Sequence, residues 1–559
     1  MTSTSDNGFQ TELTRRIELM EKSDDGFDPG KSTSADKPLG DANPYRRFLP
    51  KESSPLANQE QESDPNEETL DPADIASPDE PEQVPPTFSA ACTTLIFICW
   101  LVISAVIAII LYLQENQEVI NQSPPSPRAE LAIPISQGKI LLGLKEVSNG
   151  LPDDRGGNQQ DIQIPRLGNS VRSYQAHAVM MAEFVSPQEG MRTLAELEKE
   201  AEDEDFHFDQ KQSQVTETLK KLFQGSSPTD LERDHLNNLE SELPWFGRLA
   251  MHLEPDGQPI PRRPQPMRDA MVKEATPKFI AAGFLMLAAM AALGLGTIGA
   301  VVFFGFFISG RIILRLPTFT QQTTIYLETF SIWLVAFLSS QVLLGWLLQG
   351  SSPLSGLIMA FFFSLVLAMI WPVFRGVKIR EVLTDIGYRG NPINEAFMGL
   401  WCYICSLPIV LAGAIVSLAL AGAAATPDST GLDRPTAAGH PIMEFVMDGD
   451  RTAIVMVFIL TCVCAPIVEE TLFRGFLYRS LRDSTFTKGR STSVLFSAAM
   501  NSLVFAAIHP QGIFFIPVLG SLAFCFSLAR EWRGSLWGPI TMHALHNGMI
   551  TSMAVFFFS

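Results

Sequence analysis

The sequence predicts an all-α protein: a multi-pass transmembrane helical bundle of about nine spans, with a disordered N-terminal tail and a small polar, mainly helical insertion. Three observations carry this expectation. Residues 279–559 consist mostly of long apolar runs, and about 20 consecutive apolar residues suffice to cross a bilayer as a helix. Lys and Arg recur in alternate loops between those runs. The rest of the chain, 1–87 and 114–278, is polar and holds most of a net charge of −19.

Residues 1–87 are rich in Asp, Glu, Ser and Pro and poor in aromatics, the composition of a disordered, acidic, cytoplasmic tail. They contain no apolar run, so no cleavable signal peptide is expected, and 90–113 reads as an uncleaved signal anchor. Residues 114–278 read as an extracytoplasmic polar region, partly helical. Helical patterning falls in 191–197, 215–223 and 229–253, with Ser227-Pro228-Thr229-Asp230 as a start for the last. Few large apolar residues are available there, which points to a marginal helical module or a stalk.

Eight further spans are expected near 279–308, 325–348, 354–375, 395–422, 452–475, 493–509, 513–529 and 536–557, the first three forming a 279–375 unit. Arg311 and Arg315 follow the second span of the chain; Arg375, Lys378, Arg380 and Arg389 follow the fourth. Arg479, Arg482, Lys488 and Arg490 follow the sixth, and Arg530 and Arg533 the eighth, whereas 349–353 and 510–512 lack basic residues. Positive charge marks cytoplasmic loops, so this alternation places the N-terminus in the cytoplasm and 114–278 outside. The expected location is the plasma or inner membrane. The expected partners are the lipid bilayer and a protein or peptide substrate; the acidic balance excludes nucleic acid.

All seven cysteines lie in apolar segments, so the soluble region has no disulfide framework. Cys402-Tyr403-Ile404-Cys405 has redox-motif spacing but lies within a span, where small buried apolar side chains are expected. Gly294-Leu295-Gly296-Thr297-Ile298-Gly299 matches a dinucleotide fingerprint by letters, but no strand precedes it, so close helix packing is the expected role.

The chemistry concentrates near the C-terminus. Glu469 and Glu470 end an apolar stretch, and Arg474 follows one turn later. An acid at mid-bilayer costs roughly 2.5–3.5 kcal/mol on insertion scales, so two acids together call for pairing, a wet cavity or chemistry. Glu470 and Arg474 share a helix face and can pair; Glu469 points about 100° away and stays available as a base. Phe505 and His509 share a face, as do His543 and Asn547. A carboxylate and an imidazole can deprotonate a water, while a second imidazole and an amide can donate to an oxyanion. Glu469, His509 and His543 are also a donor set for zinc, the candidate cofactor, and metal dependence stays open. The chain has no His-Glu-x-x-His or Gly-x-Ser-x-Gly motif, against a soluble-type zinc protease and a serine hydrolase.

Glu469-Glu470-x-x-x-Arg474, then Phe505-x-x-x-His509, then His543-x-x-x-Asn547 resembles the CAAX-prenyl-protease-2-like family of intramembrane endopeptidases, which includes bacterial self-protection proteins against bacteriocins. The resemblance covers 395–559. It implies a catalytic membrane domain in which Glu469 and His509 activate water and His543 with Asn547 forms an oxyanion hole. Glu470 and Arg474 support the first motif, and Phe505 packs near His509. His546 stands where a bulky apolar residue is expected. The implied activity is endopeptidase hydrolysis of a membrane-associated protein or peptide. The alternatives are a non-catalytic protein of the same fold, in immunity or scaffolding, and a transporter. The latter lacks repeated polar motifs in two halves. One geometric demand follows. Glu469 lies about 15 Å of helix from Arg479, and His509 about 28 Å from Arg490. For them to meet, the 493–509 helix must begin above the membrane or tilt strongly, and the former is expected.

Overall fold

The computed structural model describes residues 90–115, 126–149, 164–253, 265–316, 322–347, 353–424, 446, 450–485 and 489–558. The expected tail, 1–87, lies outside the described residues. Every regular element among them is helical. After α1 (Ala90–Glu115) and a one-turn helix, Pro127–Glu130, come α2 (Ala132–Asn149), α3 (Val171–Phe184), α4 (Pro187–Asp203), α5 (Gln210–Phe223), α6 (Arg233–Glu242) and α7 (Pro244–Met251). Then follow α8 (Gln265–Ile308), α9 (Thr323–Leu347), α10 (Pro353–Phe374), α11 (Ile379–Ile386) and α12 (Pro392–Ala424). The chain closes with α13 (Arg451–Ser484), α14 (Arg490–Ala507), α15 (Ile516–Arg533) and α16 (Trp537–Phe558).

Among the described residues, seven helices are long and apolar enough to cross a membrane, α1, α8, α9, α10, α12, α13 and α15, against about nine expected. The other two expected spans, α14 and α16, form as helices but carry Ser, Thr, Asn and His residues that lower their hydropathy. These polar helices bear most of the chemistry described below.

In the polar region, local signals set the helix starts. Ser170 caps α3, Ser186 caps α4 ahead of Pro187, and Asp209 with Gln212 forms a capping box on α5. Pro228 starts only a single 3₁₀ turn, and α6 begins at Arg233. The helix expected across 229–253 is broken at Pro244, which cannot continue the hydrogen-bond ladder. These helices are no stalk. Leu194, Val215, Leu219, Leu239, Trp245 and Phe246 form a buried core with Met271 and Ala275 of α8. Two adjacent aromatics supply much of its bulk, and Gly138 lies against the Trp245 ring where a Cβ would come within 2.6 Å. Beneath them, Glu183 accepts from Arg268 at 2.7 and 3.2 Å and from Lys145 at 2.9 Å, joining α2, α3 and α8. Helix α8 runs 44 residues, about 66 Å, with Pro277 inside it, so its polar start and membrane portion belong to one continuous helix.

In the membrane portion, α12 packs on α8, α15 and α16, while α14 packs along α15. Gly296 and Gly299 of α8 admit the Ile404 carbonyl and Cys405 of α12; a Cβ would come within 2.1 and 2.4 Å of them. Several of the arginines counted above as loop charges are buried. Arg482 binds Glu531 through two contacts of 2.9 Å, Tyr478 donates to Glu531 at 3.0 Å, and Arg479 lies 3.5 Å from Asp483. Arg530 reaches the Ile386 carbonyl at 2.9 Å past Gly387, whose φ of 105° and missing Cβ leave room for the guanidinium. These contacts clamp α11, α13 and α15 at one end and fix the helix register that the site depends on.

Candidate active site

Helix α13 is not a regular α-helix. It changes to π geometry over Leu460–Cys464 and again over Thr471–Leu477, on either side of Glu469 and Glu470. Local π segments concentrate at functional sites because they re-aim side chains and release backbone groups. In the first, the Ala465 amide bonds the Leu460 carbonyl, five residues back. In that register the partner of the Thr461 carbonyl is residue 466, a proline with no N–H. The carbonyl is instead met by Asn547 of α16, whose Nδ2 donates to it at 2.8 Å.

Glu470 is fully buried. Its Oε1 accepts from Arg474 at 3.0 Å and from His543 Nδ1 at 2.9 Å. A second Arg474 nitrogen donates to the Ala523 carbonyl of α15 at 3.0 Å. The guanidinium lies over the rings of Phe505, at 4.6 Å, and Phe526, at 5.2 Å. Neither charge meets water, and each is matched by the other, as a buried pair requires. The carboxylate can only accept, so His543 carries its proton on Nδ1. Its Nε2 then holds a lone pair in the neutral ring and donates only when the ring is an imidazolium.

Glu469 points elsewhere, as the helix geometry requires. Its Oε2 lies 3.7 Å from His509 Nε2 and 3.9 Å from His543 Nε2, so two imidazole nitrogens face one carboxylate oxygen. That oxygen is buried and has no direct hydrogen-bond partner. His509 follows α14 and places Nδ1 2.5 Å from the Phe505 carbonyl, with the two rings 4.2 Å apart. A carbonyl accepts only, so Nδ1 is the protonated nitrogen and Nε2 faces Glu469 with a lone pair. Phe505 also meets Phe473, which stacks edge-on against Phe330 and Trp333 of α9, so an aromatic wall backs the cluster.

Thus Glu469, His509 and His543 come together; Glu470 and Arg474 hold His543, and Phe505 packs on His509. Asn547 joins through Thr461. Glu469 and His509, expected to meet at one water, do lie side by side, with 3.7 Å between Oε2 and Nε2. His546 turns away toward α12, where Tyr403 Oη lies 3.2 Å from its Nδ1. Among the described residues, no group of three His, Cys, Asp or Glu side chains is arranged to hold a metal ion, Glu469, His509 and His543 included. Those three do not fit zinc as they stand, and no step below runs through a metal. Sequence inspection missed Pro466 and the Thr461 carbonyl. A proline three residues before the acids, inside an apolar helix, was the available signal.

Fold and cluster define a class: an integral, multi-pass helical membrane protein with a buried carboxylate–imidazole site. Residues 451–549 match the family described as type II CAAX prenyl endopeptidase Rce1-like, so this segment is similar to that family. A curated relative, the "Membrane-embedded CAAX protease MroQ" of Staphylococcus aureus (strain USA300), is 34% identical over 89 residues. That stretch is 16% of this chain and 35% of the relative, so the chain spans about a third of the relative's length. No solved structure matches the chain.

Proposed function

We propose that this protein is an intramembrane endopeptidase that hydrolyses a peptide bond in a membrane-associated protein or peptide. The observation that carries the proposal is the position of Glu469 Oε2, facing the Nε2 atoms of both His509 and His543. A water hydrogen-bonded to Glu469 and His509 loses a proton to this pair as its oxygen attacks the substrate carbonyl. The C–O bond forms, and the carbonyl π electrons move onto oxygen. His543 as imidazolium and the second Nδ2 hydrogen of Asn547 donate to that oxyanion. Collapse breaks the C–N bond, and the proton taken from water passes to the leaving amine. The products are a carboxylic acid, which keeps the second water proton, and an amine; transfer of that proton leaves a carboxylate and an ammonium, so atoms and charge balance. Low dielectric around the cluster strengthens each of these contacts.

The proposed orientation has the N-terminus in the cytoplasm and residues 114–278 outside, in a plasma or inner membrane. The test compares protein termini in membrane fractions of cells carrying wild-type protein or Glu469→Gln. New termini present with wild type and absent with equally inserted Glu469→Gln support hydrolysis. Identical termini in both point to a non-catalytic member of the family, acting in immunity or as a scaffold.

A further inference from the structure

We infer that Gln114, at the end of the first span, is a positioning residue for His509, and that α1 is therefore part of the catalytic unit rather than an anchor alone. Because Gln114 acts through His509, this role rests on the hydrolytic function proposed above.

His509 lies two residues beyond the end of α14, and Pro510 follows it. A carbonyl past a helix end has no intrahelical donor, and in apolar surroundings an unmet carbonyl is costly. Gln114 Nε2 donates to the His509 carbonyl at 2.5 Å. The amide orientation is fixed by chemistry, since Oε1 against a carbonyl oxygen would pair two acceptors. With this contact His509 is held at three points. Its amide bonds the Ala506 carbonyl at 3.3 Å, its carbonyl takes Gln114, and its Nδ1 bonds the Phe505 carbonyl. Only Nε2 remains, and it faces Glu469. Removing one point frees the backbone on which the imidazole is mounted.

Helix α1 is not a loosely attached span. Cys99, Ile103 and Val106 are buried in the same apolar cluster that contains Phe473 and Phe505, and α1 packs along α9. Gln114 lies outside the matched segment, 451–549, so the contact comes to His509 from a helix beyond that segment.

The test uses the full chain in proteoliposomes, with an internally quenched, lipid-anchored peptide selected from a library by wild-type cleavage. A displacement near 1 Å can cost up to about a hundredfold in rate. Gln114→Ala is expected to lower kcat by about tenfold or more with KM within about twofold, because substrate contacts stay while His509 drifts. Leu113→Ala, on the same turn but 41% exposed, is expected to match wild type. Hydrogen exchange is expected to quicken at 508–512 in Gln114→Ala and not elsewhere. Should Gln114→Ala fail to accumulate, Gln114→Asn, one methylene short of the carbonyl, carries the same expectation. Wild-type kcat in a folded Gln114 variant overturns the inference, as does an equal loss in Leu113→Ala. His509→Ala separates the two levels. If it cleaves normally, the hydrolytic function itself fails; if it is inactive while Gln114→Ala is unaffected, only the positioning role fails.

Discussion

Asn547 donates its Nδ2 to the carbonyl oxygen of Thr461 at 2.8 Å, and that carbonyl is free because Pro466 stands where its π-helical partner belongs. One N–H of the amide is thereby fixed, and the other is aimed by it. Asn547→Ala is expected to lower kcat by about 10²–10³, the usual effect of deleting an oxyanion donor. Pro466→Ala supplies an N–H that competes for the Thr461 carbonyl and is expected to lower kcat by about tenfold without raising KM. Steady-state kinetics in proteoliposomes read both; an unimpaired Pro466→Ala would show that Asn547 is held by other means.

The Glu470–Arg474 pair lies wholly out of water, so breaking it from one side is costly. Arg474→Met leaves a buried carboxylate facing only His543 and is expected to destabilise the protein by about 3–5 kcal/mol. Adding Glu470→Gln removes the stranded charge and is expected to recover part of that loss. Thermal unfolding in detergent micelles compares the two; a double variant no more stable than Arg474→Met contradicts the pairing.

His177, in the 127–253 module outside the membrane spans, provides a pH test. Burial, and secondarily the nearby Arg166, lowers its pKa to about 4 from an ordinary 6.5. The unfolded chain therefore binds the proton more readily than the folded one between those values, and stability rises with pH across that window. The module is expected to be fully stable above about pH 6.5 and to lose stability as pH falls toward 4. Fluorescence of the full chain, with Trp245 in the module core, follows this. His177→Gln is expected to flatten the slope; an unchanged slope assigns it to other groups.

Metal removal is the fourth test. With no step routed through a metal, incubation with a chelator followed by gel filtration is expected to leave kcat unchanged, and metal content well below one per chain. Loss of activity restored by zinc would mean that Glu469, His509 and His543 close around an ion.

The long apolar helices and their order were legible because apolar runs announce themselves in composition, although seven rather than nine are apolar enough to span among the described residues. Glu469, Glu470, Arg474, His509, His543 and Asn547 were legible because polar groups in such runs are expensive. What sequence could not convey was tertiary. Trp245 and Phe246 look like two isolated aromatics until α2 and the start of α8 close over them. Arg482 and Arg530 look like loop charges until Glu531 and the Ile386 carbonyl meet them. The π register at Leu460–Cys464 depends on packing against α16 as much as on Pro466, so no periodicity in the chain reports it. Gln114 reaches His509 across 395 residues of sequence, a pairing that no local pattern encodes.

A double-mutant cycle on Glu469→Gln and His509→Ala, scored as kcat/KM on the lipid-anchored peptide, tests most directly whether these two groups share one water. Groups acting as a unit lose nothing further once either is gone. Each single variant is expected to fall by about 10²–10⁴, and the double variant to fall no further than the worse single. Losses that multiply, or cleavage that survives either substitution, would contradict a shared hydrolytic water.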